Sequence, residues 1–542
     1  MKKPILFVLA LALALSAVPA FAETASAGVW EKRAFVDEFN LPTDDYYVIN
    51  KAPFTGTFSN SATTNSDLLA YLIIDADYVG VRLIEYGDYV VKNSFSKDEV
   101  YSTALMDPAG EKYYFDGTMA AGSDRIVYKS EARDMILDAL CQDGIVRFSI
   151  TEKDNEVSRY IFAVADTAGF ADVAPIKQAG AVSEGLIAAK VGSKWGYVDL
   201  NGEWVIPCQF DNASSFSCGL ARVQKNEKYG YVNAAGEVAI SFAYDSADSF
   251  SDGVAAVKNI SYAGLIDTSG NKVAVPGDWE EVGSYSEGLV SVKKYGVWGF
   301  ATLEGEIAID CKYMNASTFH EGLAAEGATY IDTEGNKVIT GEWAFVSAFS
   351  SGMACVCNRQ YKYAYIDFAG NEIIPYGTYN AGRCEDGLII TTKDGGMPVY
   401  DLNGAELIPP VYAFTDYGEG YFTLVKDGEL TILPREEVQP NWEAELAAYE
   451  AELEGRREAA AKEAEARAAE AERQKMLTEY TDKETVKKVQ AALNEAGFPC
   501  GTPDGAAGKK TIAALTDYQT AKNLTVTGTI THETLISMGL AG

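Results

Sequence analysis

Between residues 172 and 433 apolar and polar positions alternate in short runs, and the runs return in a fixed cycle. A small or acidic residue, a glycine and an apolar stretch recur as S-E-G-L, S-C-G-L, S-D-G-V, S-E-G-L, H-E-G-L, S-S-G-M, E-D-G-L and G-E-G-Y. The glycines are Gly185, Gly219, Gly253, Gly288, Gly322, Gly352, Gly387 and Gly420, spaced by 34, 34, 35, 34, 30, 35 and 33 residues. Chance composition does not hold such a register, so the period is architectural. A second signal lies inside each cycle: Asp199 to Gly202, then Asn233 to Gly236, Asp267 to Gly270, Thr302 to Gly305, Asp332 to Gly335, Asp367 to Gly370 and Asp401 to Gly404. Asp or Asn followed three places later by Gly suits a turn in which the side chain accepts a backbone N–H and glycine takes positive φ. The flanks alternate apolar and polar, which predicts short antiparallel strands joined at these turns.

Each cycle then supplies about three strands, in the first unit 186–191, 195–199 and 203–210. One such unit cannot bury both of its faces and must stack on its neighbours. Closed stacking gives a β-propeller of seven to eight blades; open stacking gives a solenoid of β-hairpins. The ends of the series favour closure. Residues 420–433 open an eighth unit, and 172–182 read as the tail of one, so the two pieces are expected to share a split blade.

Four residues before each of the first four turns, and at the matching place in the others, stand Trp195, Tyr229, Ala263, Trp298, Ala328, Tyr363 and Met397. They are followed by Gly196, Gly230, Gly264, Gly299, Thr329, Ala364 and Pro398. Chemistry this loose is wrong for a catalytic loop and right for a packing position, a bulky group beside a small one. Trp195, Gly196, Tyr229, Gly230, Trp298 and Gly299 are therefore assigned to repeat packing. The series resembles the WG-repeat family of bacterial proteins, with its best copies in K-W-G-Y (194–197) and V-W-G-F (297–300); Ala328-Thr329 and Met397-Pro398 depart from the pattern. The resemblance implies an all-β repeat used for surface recognition, without a shared catalytic site.

The rest of the chain obeys other periods. Residues 29–168 read as a β-rich module of unknown type, a sandwich by expectation, with a helix over 130–140 presenting Met135, Ile136, Ala139 and Leu140. Residues 441–477 are nearly all Ala, Glu, Arg and Lys, strong helix formers, and predict a solvated α-helical linker of roughly 50 Å. Residues 478–542 predict three helices. T-D-K-E at 481–484 is a capping box, and Val486, Val489, Leu493 and Ala496 follow at helical spacing. Thr511 opens a second helix and Thr531 caps a third.

The order V-x-x-V-Q-x-x-L-x-x-x-G-F, D-G-x-x-G-x-x-T, Y-Q and G-x-I-x-x-x-T-L from Val486 to Leu540 resembles the peptidoglycan-binding-like family. Ala507 and Tyr518 replace the aromatic and the Phe usual there. The resemblance implies peptidoglycan as a partner and places Asp504, Gly505, Thr511, Tyr518 and Gln519 near a ligand groove.

Lys2 and Lys3, the apolar run 5–18 and Ala20-Phe21-Ala22 read as a signal peptide over 1–22, shorter in its core than a membrane span. The mature protein is expected outside the cytoplasm, cell-wall associated or periplasmic, with no membrane span. The formal charge of −33 disfavours nucleic acid as a partner. The D-x-x-G turns lack the oxygen count of a calcium loop, and no metal or other cofactor is expected. With two histidines, His320 and His532, and no nucleophile motif, the chain is expected not to be an enzyme. The reading is a wall-attached display protein whose repeats meet a protein or glycan ligand not named by the sequence. The alternative is a wall-tethered carboxylate-dependent hydrolase with its site in 29–168 or the propeller channel.

Overall fold

The cycle of turns becomes eight successive antiparallel sheets arranged as a propeller. A computed structural model of the chain describes residues 26–540 apart from 38, 154–157 and 316; the leader expected over 1–22 lies outside the described residues. Blade one pairs Gln178–Ser183, Leu186–Val191, Lys194–Asp199 and Trp204–Phe210 in that order. Blade two repeats it with Asn212–Ser217, Leu220–Lys225, Lys228–Asn233 and Val238–Tyr244. Blades three, four, six and seven also have four strands, and blades five and eight have three.

The unit holds one strand more than the apolar pattern shows. In S-E-G-L, Ser183 pairs with Leu186, and Glu184 and Gly185 between them have φ of 53° and 74°. That is a two-residue hairpin whose twist matches its strands. The strand before each glycine therefore belongs to the same blade. It escapes the pattern because it is the inner strand, built of small polar residues such as N-A-S-S-F-S over Asn212–Ser217. The serine ending an inner strand bonds the matching segment of the next blade: Ser183 Oγ donates to Phe216 O at 2.7 Å, Ser217 Oγ to Phe250 O at 2.8 Å and Ser286 Oγ to Phe319 O at 2.6 Å.

The expected split blade is not formed. Blade eight is built from Phe414–Gly418, Tyr421–Lys426 and Glu429–Pro434 alone. Residues 172–177 form no strand, because the next residues, Gln178–Ser183, already serve as the inner strand of blade one. Ile176 reaches blade eight by donating its amide to Gly428 O at 2.8 Å, and Pro175 lies against Gly428. The ring closes by packing blade on blade: Val425 meets Val182, Ile187 and Val198, and Thr423 Oγ1 donates to Gly180 O at 2.8 Å.

The module ahead of the propeller is a barrel, which corrects the sandwich expectation. From Ser66–Ile74 the pairings run through Phe54–Ser59, Arg159–Val164, Val146–Glu152, Glu99–Met106, Lys112–Met119, Ile126–Lys129 and Tyr78–Glu85, which pairs again with Ser66–Ile74. Closing the sheet on itself removes the free edges that two stacked sheets would leave. The hairpin of Trp30–Val36 and Pro42–Asn50 attaches outside the ring through Val48 and Ile49. The helix Ser130–Leu140 buries Arg133, Ile136, Leu137, Ala139 and Leu140. Barrel and blade one share a core that includes Phe170, Val173, Val191 and Cys208. A second compact unit covers 451–542.

Candidate functional site

Antiparallel connectivity gives the propeller two distinct faces. The hairpins between strands one and two, and the D-x-x-G turns between strands three and four, lie on one face. The hairpins between strands two and three, and the links between blades, lie on the other. On the first face a glutamate of the repeat ties four of the blades to the next. Both carboxylate oxygens of Glu184 accept from Gly219 N, at 3.0 and 3.1 Å. Glu287 accepts from Glu321 N and Gly322 N, and Glu321 from Gly352 N. Glu419 accepts from Glu184 N and Gly185 N across the ring closure. Cys218, Asp252, Ser351 and Asp386 hold the same left-handed position with shorter side chains.

The start of the long helix, Trp442–Met476, docks where those shorter residues stand. Tyr449 Oη donates to Ser351 O at 2.6 Å, and Leu446 and Tyr449 lie beside Gly387. Arg435, buried, donates to Asp386 O at 2.9 Å and sits between the Tyr417 and Trp442 rings, 5.3 and 4.9 Å from their centres. The helix is therefore not solvated throughout, as its composition predicts. Its few large residues, Trp442, Leu446 and Tyr449, are the ones that dock.

On the second face the barrel covers blades one and eight. Asp138 accepts from Ser193 N at 2.8 Å and from the Ser193 hydroxyl, while Lys177 pairs with Asp134 at 2.7 Å. Burial holds the Asp138 carboxyl above the usual carboxylate range, opposed by the Ser193 bonds. Lys32 of the barrel's outer hairpin pairs with Glu429 of blade eight.

The glycines after the bulky position have a steric reason. A Cβ on Gly196 would lie 2.4 Å from Ile206 O, on Gly230 2.7 Å from Ile240 O and on Gly299 2.5 Å from Ile309 O. Each marks a bulge where the outer strand crosses close. Trp195 pairs with Phe210, Tyr229 with Tyr244 and Trp298 with Tyr313, and Lys190, Arg222 and Lys293 lie over the Trp195, Tyr229 and Trp298 rings.

The residue after the small position joins blades and was not singled out by sequence: Tyr197 after Gly196, Tyr231 after Gly230 and Tyr330 after Thr329. Tyr197, Tyr231 and Tyr330 donate to carbonyls of the following blade, each at 2.7 Å. Their rings meet Phe216, Phe250 and Phe349, each three residues before a repeat glycine, at 4.7 to 4.9 Å. The signal was present as F-S-C-G, F-S-D-G and F-S-S-G.

In the C-terminal unit the helices are Lys483–Glu495, Lys509–Ala521 and His532–Ser537. Asp482 caps the first through Thr485 N, and Thr531 caps the third through Thr534 N. Two buried glutamines organise the domain. Gln490 Nε2 donates to Asp504 Oδ1 at 2.9 Å, Ala506 O and Thr511 Oγ1 at 3.1 Å, and its Oε1 accepts from Gly505 N at 2.9 Å. Gln519 Nε2 donates to Thr527 Oγ1, Thr529 O and Thr534 Oγ1, and its Oε1 accepts from Thr527 N and Gly528 N.

Asp504, Gly505 and Thr511 thus meet around Gln490, and Gln519 secures the next turn. Asp504 is exposed, and the Gln490 amide and Ala506 N–H hold its carboxyl below the usual range. Gly505 has φ of 81°, and a Cβ there would lie 2.8 Å from Lys483 O. Thr511, Tyr518 and Gln519 are interior, and the Tyr518 hydroxyl is bonded to Ser537. Sequence reasoning passed over Gln490, although it sits after Val489 as Gln519 sits after Tyr518. His532 Nδ1 meets Tyr480 Oη at 3.0 Å, and His320 Nε2 meets Thr318 Oγ1 at 2.9 Å.

Comparison with known families matches the WG containing repeat at residues 195–229, 229–259, 264–298, 298–325 and 329–361. The putative peptidoglycan binding domain matches at 482–538. Among curated proteins nothing matches. Similar solved structures include Kluyveromyces lactis Hsv2p, at 10% identity over 42% of this chain and 93% of that one, with a TM-score of 0.30. The WD40 β-propeller domain of Doa1 is 13% identical over 48% of this chain and 92% of that one, with a TM-score of 0.26. BamB from Moraxella catarrhalis is 10% identical over 48% and 89%, with a TM-score of 0.27. The chain thus carries WG containing repeats over 195–361 within an eight-bladed β-propeller, and a putative peptidoglycan binding domain over 482–538.

Proposed function

We propose that this is an exported protein held on peptidoglycan by residues 478–542, presenting its propeller to a protein or glycan. The match over 482–538 carries the wall attachment. The ligand meets the surface around Asp504 and Gly505, while Thr511, Tyr518 and Gln519 hold that surface from within. This division follows from burial: a side chain whose polar groups are all spent inside the domain shapes a groove without touching what fills it.

The test is retention on purified sacculi, comparing the intact chain with one ending at Pro440. The intact chain is expected in the pellet and the truncated chain in the supernatant. Equal retention of both would remove the assignment. Residues 478–542 hold 7 acids and 6 bases, so retention is expected to change little as salt is raised.

A further inference from the structure

The barrel's outer wall holds a cleft at the seam where its extra hairpin joins. The hairpin of Trp30–Val36 and Pro42–Asn50 meets Ser66–Ile74 through two residue pairs, Val48 with Ile74 and Ile49 with Ile73. Past Ile49 the strands part, and Asn50 bridges the gap with its side chain. Its Nδ2 donates to Ala70 O at 3.2 Å, and its Oδ1 accepts from Leu72 N at 2.8 Å. On the other side Ile73 is paired with Gly80, which has no side chain to fill the space. The cleft left between these strands has a volume of about 230 Å³, and Ile49, Ile73 and Tyr71 supply its apolar lining.

Three cations line it and no acid does: Arg33 from the hairpin, Lys51 just after the hairpin and Arg82 from Tyr78–Glu85. In a chain of formal charge −33 the average surface does not supply such a wall. The nearest acids stand outside the lining and orient the cations. Glu31 accepts from Arg33 Nε, while Asp124 lies 3.1 Å from Arg82 Nε and accepts from Arg125 Nε at 3.2 Å. Arg125 stands beside the cleft, its Cδ 3.3 Å from where a Cβ on Gly80 would lie. Lys51 Nζ donates to Gly28 O at 2.6 Å, which fixes it at the rim. Arg33 and Arg82 turn Nε to their acids and remain 48% and 38% exposed, so their forked ends stay open to a ligand. A guanidinium fork matches two oxygens of one oxyanion. Four cations against two acids leave an excess of two positive charges.

We propose that this cleft binds a phosphate group carrying two negative charges, free or as a monoester of a small organic body. Arg33, Lys51 and Arg82 meet the phosphate oxygens, and Ile49, Ile73 and Tyr71 line the space for the rest of the molecule. The charge excess selects a dianion: a single carboxylate would leave one positive charge unmatched. The site lies in the barrel, so it does not depend on wall attachment by residues 478–542.

The test is calorimetric titration of the intact chain with inorganic phosphate, glycerol 3-phosphate and acetate at low ionic strength. Phosphate or its ester is expected to bind once per chain with a Kd at or below about 1 mM, weakening as salt is raised. Lys51→Gln and Arg82→Gln should each weaken binding at least about tenfold. Arg82→Gln also breaks the contact with Asp124, whereas Lys51→Gln removes one exposed cation and should melt with the parent. Lys258→Gln makes the same charge change on blade three and should bind as the parent does. Tighter binding of glycerol 3-phosphate than of phosphate assigns an organic ester, and equal binding assigns the phosphate group alone; both uphold the site. A parent that binds neither overturns the proposal, as does acetate binding as tightly as phosphate. So does a Lys51→Gln variant that binds like the parent, or a Lys258→Gln variant that weakens as much, which would reduce the binding to the general field of the protein.

Discussion

The carboxylate of Glu419 accepts the amide hydrogens of Glu184 and Gly185, 235 and 234 residues away in sequence. The last blade is thereby tied to the first by the same bond that ties Glu184 to Gly219 and Glu287 to Gly322. Closure is one more instance of the ordinary blade contact, which is why no shared strand is needed.

Removing that bond should loosen the ring. Glu419→Ala is expected to destabilise the propeller by about 1 kcal/mol, the net worth of an exposed charge-assisted hydrogen bond. Cys218 occupies the equivalent left-handed position, with φ of 57° against 53° at Glu184. Cys218→Glu should cap the turn of blade three and raise the unfolding midpoint. Chemical denaturation of both variants checks the pair, and a fall in both would refute the carboxylate tie.

The W-G glycines admit no side chain. Gly196→Ala puts a Cβ against the Ile206 carbonyl at 2.4 Å, and backbone cannot yield as a flexible side chain can. A loss of about 2–4 kcal/mol is expected, read from the denaturation midpoint. Blade six carries Ala364 at this place, facing an outer strand only three residues long, Glu372–Ile374. Ala364→Gly should therefore cost far less, about 0.5–1 kcal/mol for strand entropy and lost packing.

Gln519 is fully buried and its amide serves both sides of one turn. Gln519→Leu would leave the Thr527 and Gly528 amides without an acceptor, at about 1–3 kcal/mol. Gln519→Glu keeps the shape but sets a carboxylate against the Thr529 carbonyl. It should be least stable near neutral pH and recover on acidification as the introduced carboxyl takes up a proton. Thermal unfolding followed against pH distinguishes the two variants.

Asp504 gives the opposite pH dependence. Its folded carboxyl is held low by the Gln490 amide and Ala506 N–H, so ionisation favours the fold. That contribution is complete above the ordinary aspartate value of about 3.9 and is lost as pH falls through the lowered folded value. Asp504→Asn should then narrow the gap between neutral and acid stability of the C-terminal unit. Thermal melts on either side of that window, with a carbon NMR titration of Asp504 in the parent, check the sign.

Arg435 clamps the helix start against blade seven and is 2% exposed. Arg435→Ala deletes its bonds to Asp386 O and Tyr417 Oη together with two ring contacts. Amide exchange over 442–450 should accelerate at least about tenfold if the clamp contributes 1.4 kcal/mol or more to local closure. Unchanged exchange there would mean that Tyr449 and Leu446 suffice.

What the sequence determined is what depends on neighbours along the chain. Seven D-x-x-G-type turns, with Gly202, Gly236 and Gly270 at φ of 79° to 80°, are local geometry and are written in local residue choice. The period follows from repetition, and the C-terminal helices from caps and apolar spacing. The inner strand of each blade was not legible, because Asn212–Ser217 has neither alternation nor bulk; its stability comes from the strands and blades on either side. The barrel's closure rests on Ser66–Ile74 pairing again with Tyr78–Glu85 after a circuit of the module, a relation that no window of sequence contains. The positions proposed to lie near the peptidoglycan groove show the same division. The family resemblance marked Asp504, Gly505, Thr511, Tyr518 and Gln519 as a group, but only three-dimensional packing turned three of them inward. A buried polar group must find partners inside the protein, and which partners it finds is decided by the fold.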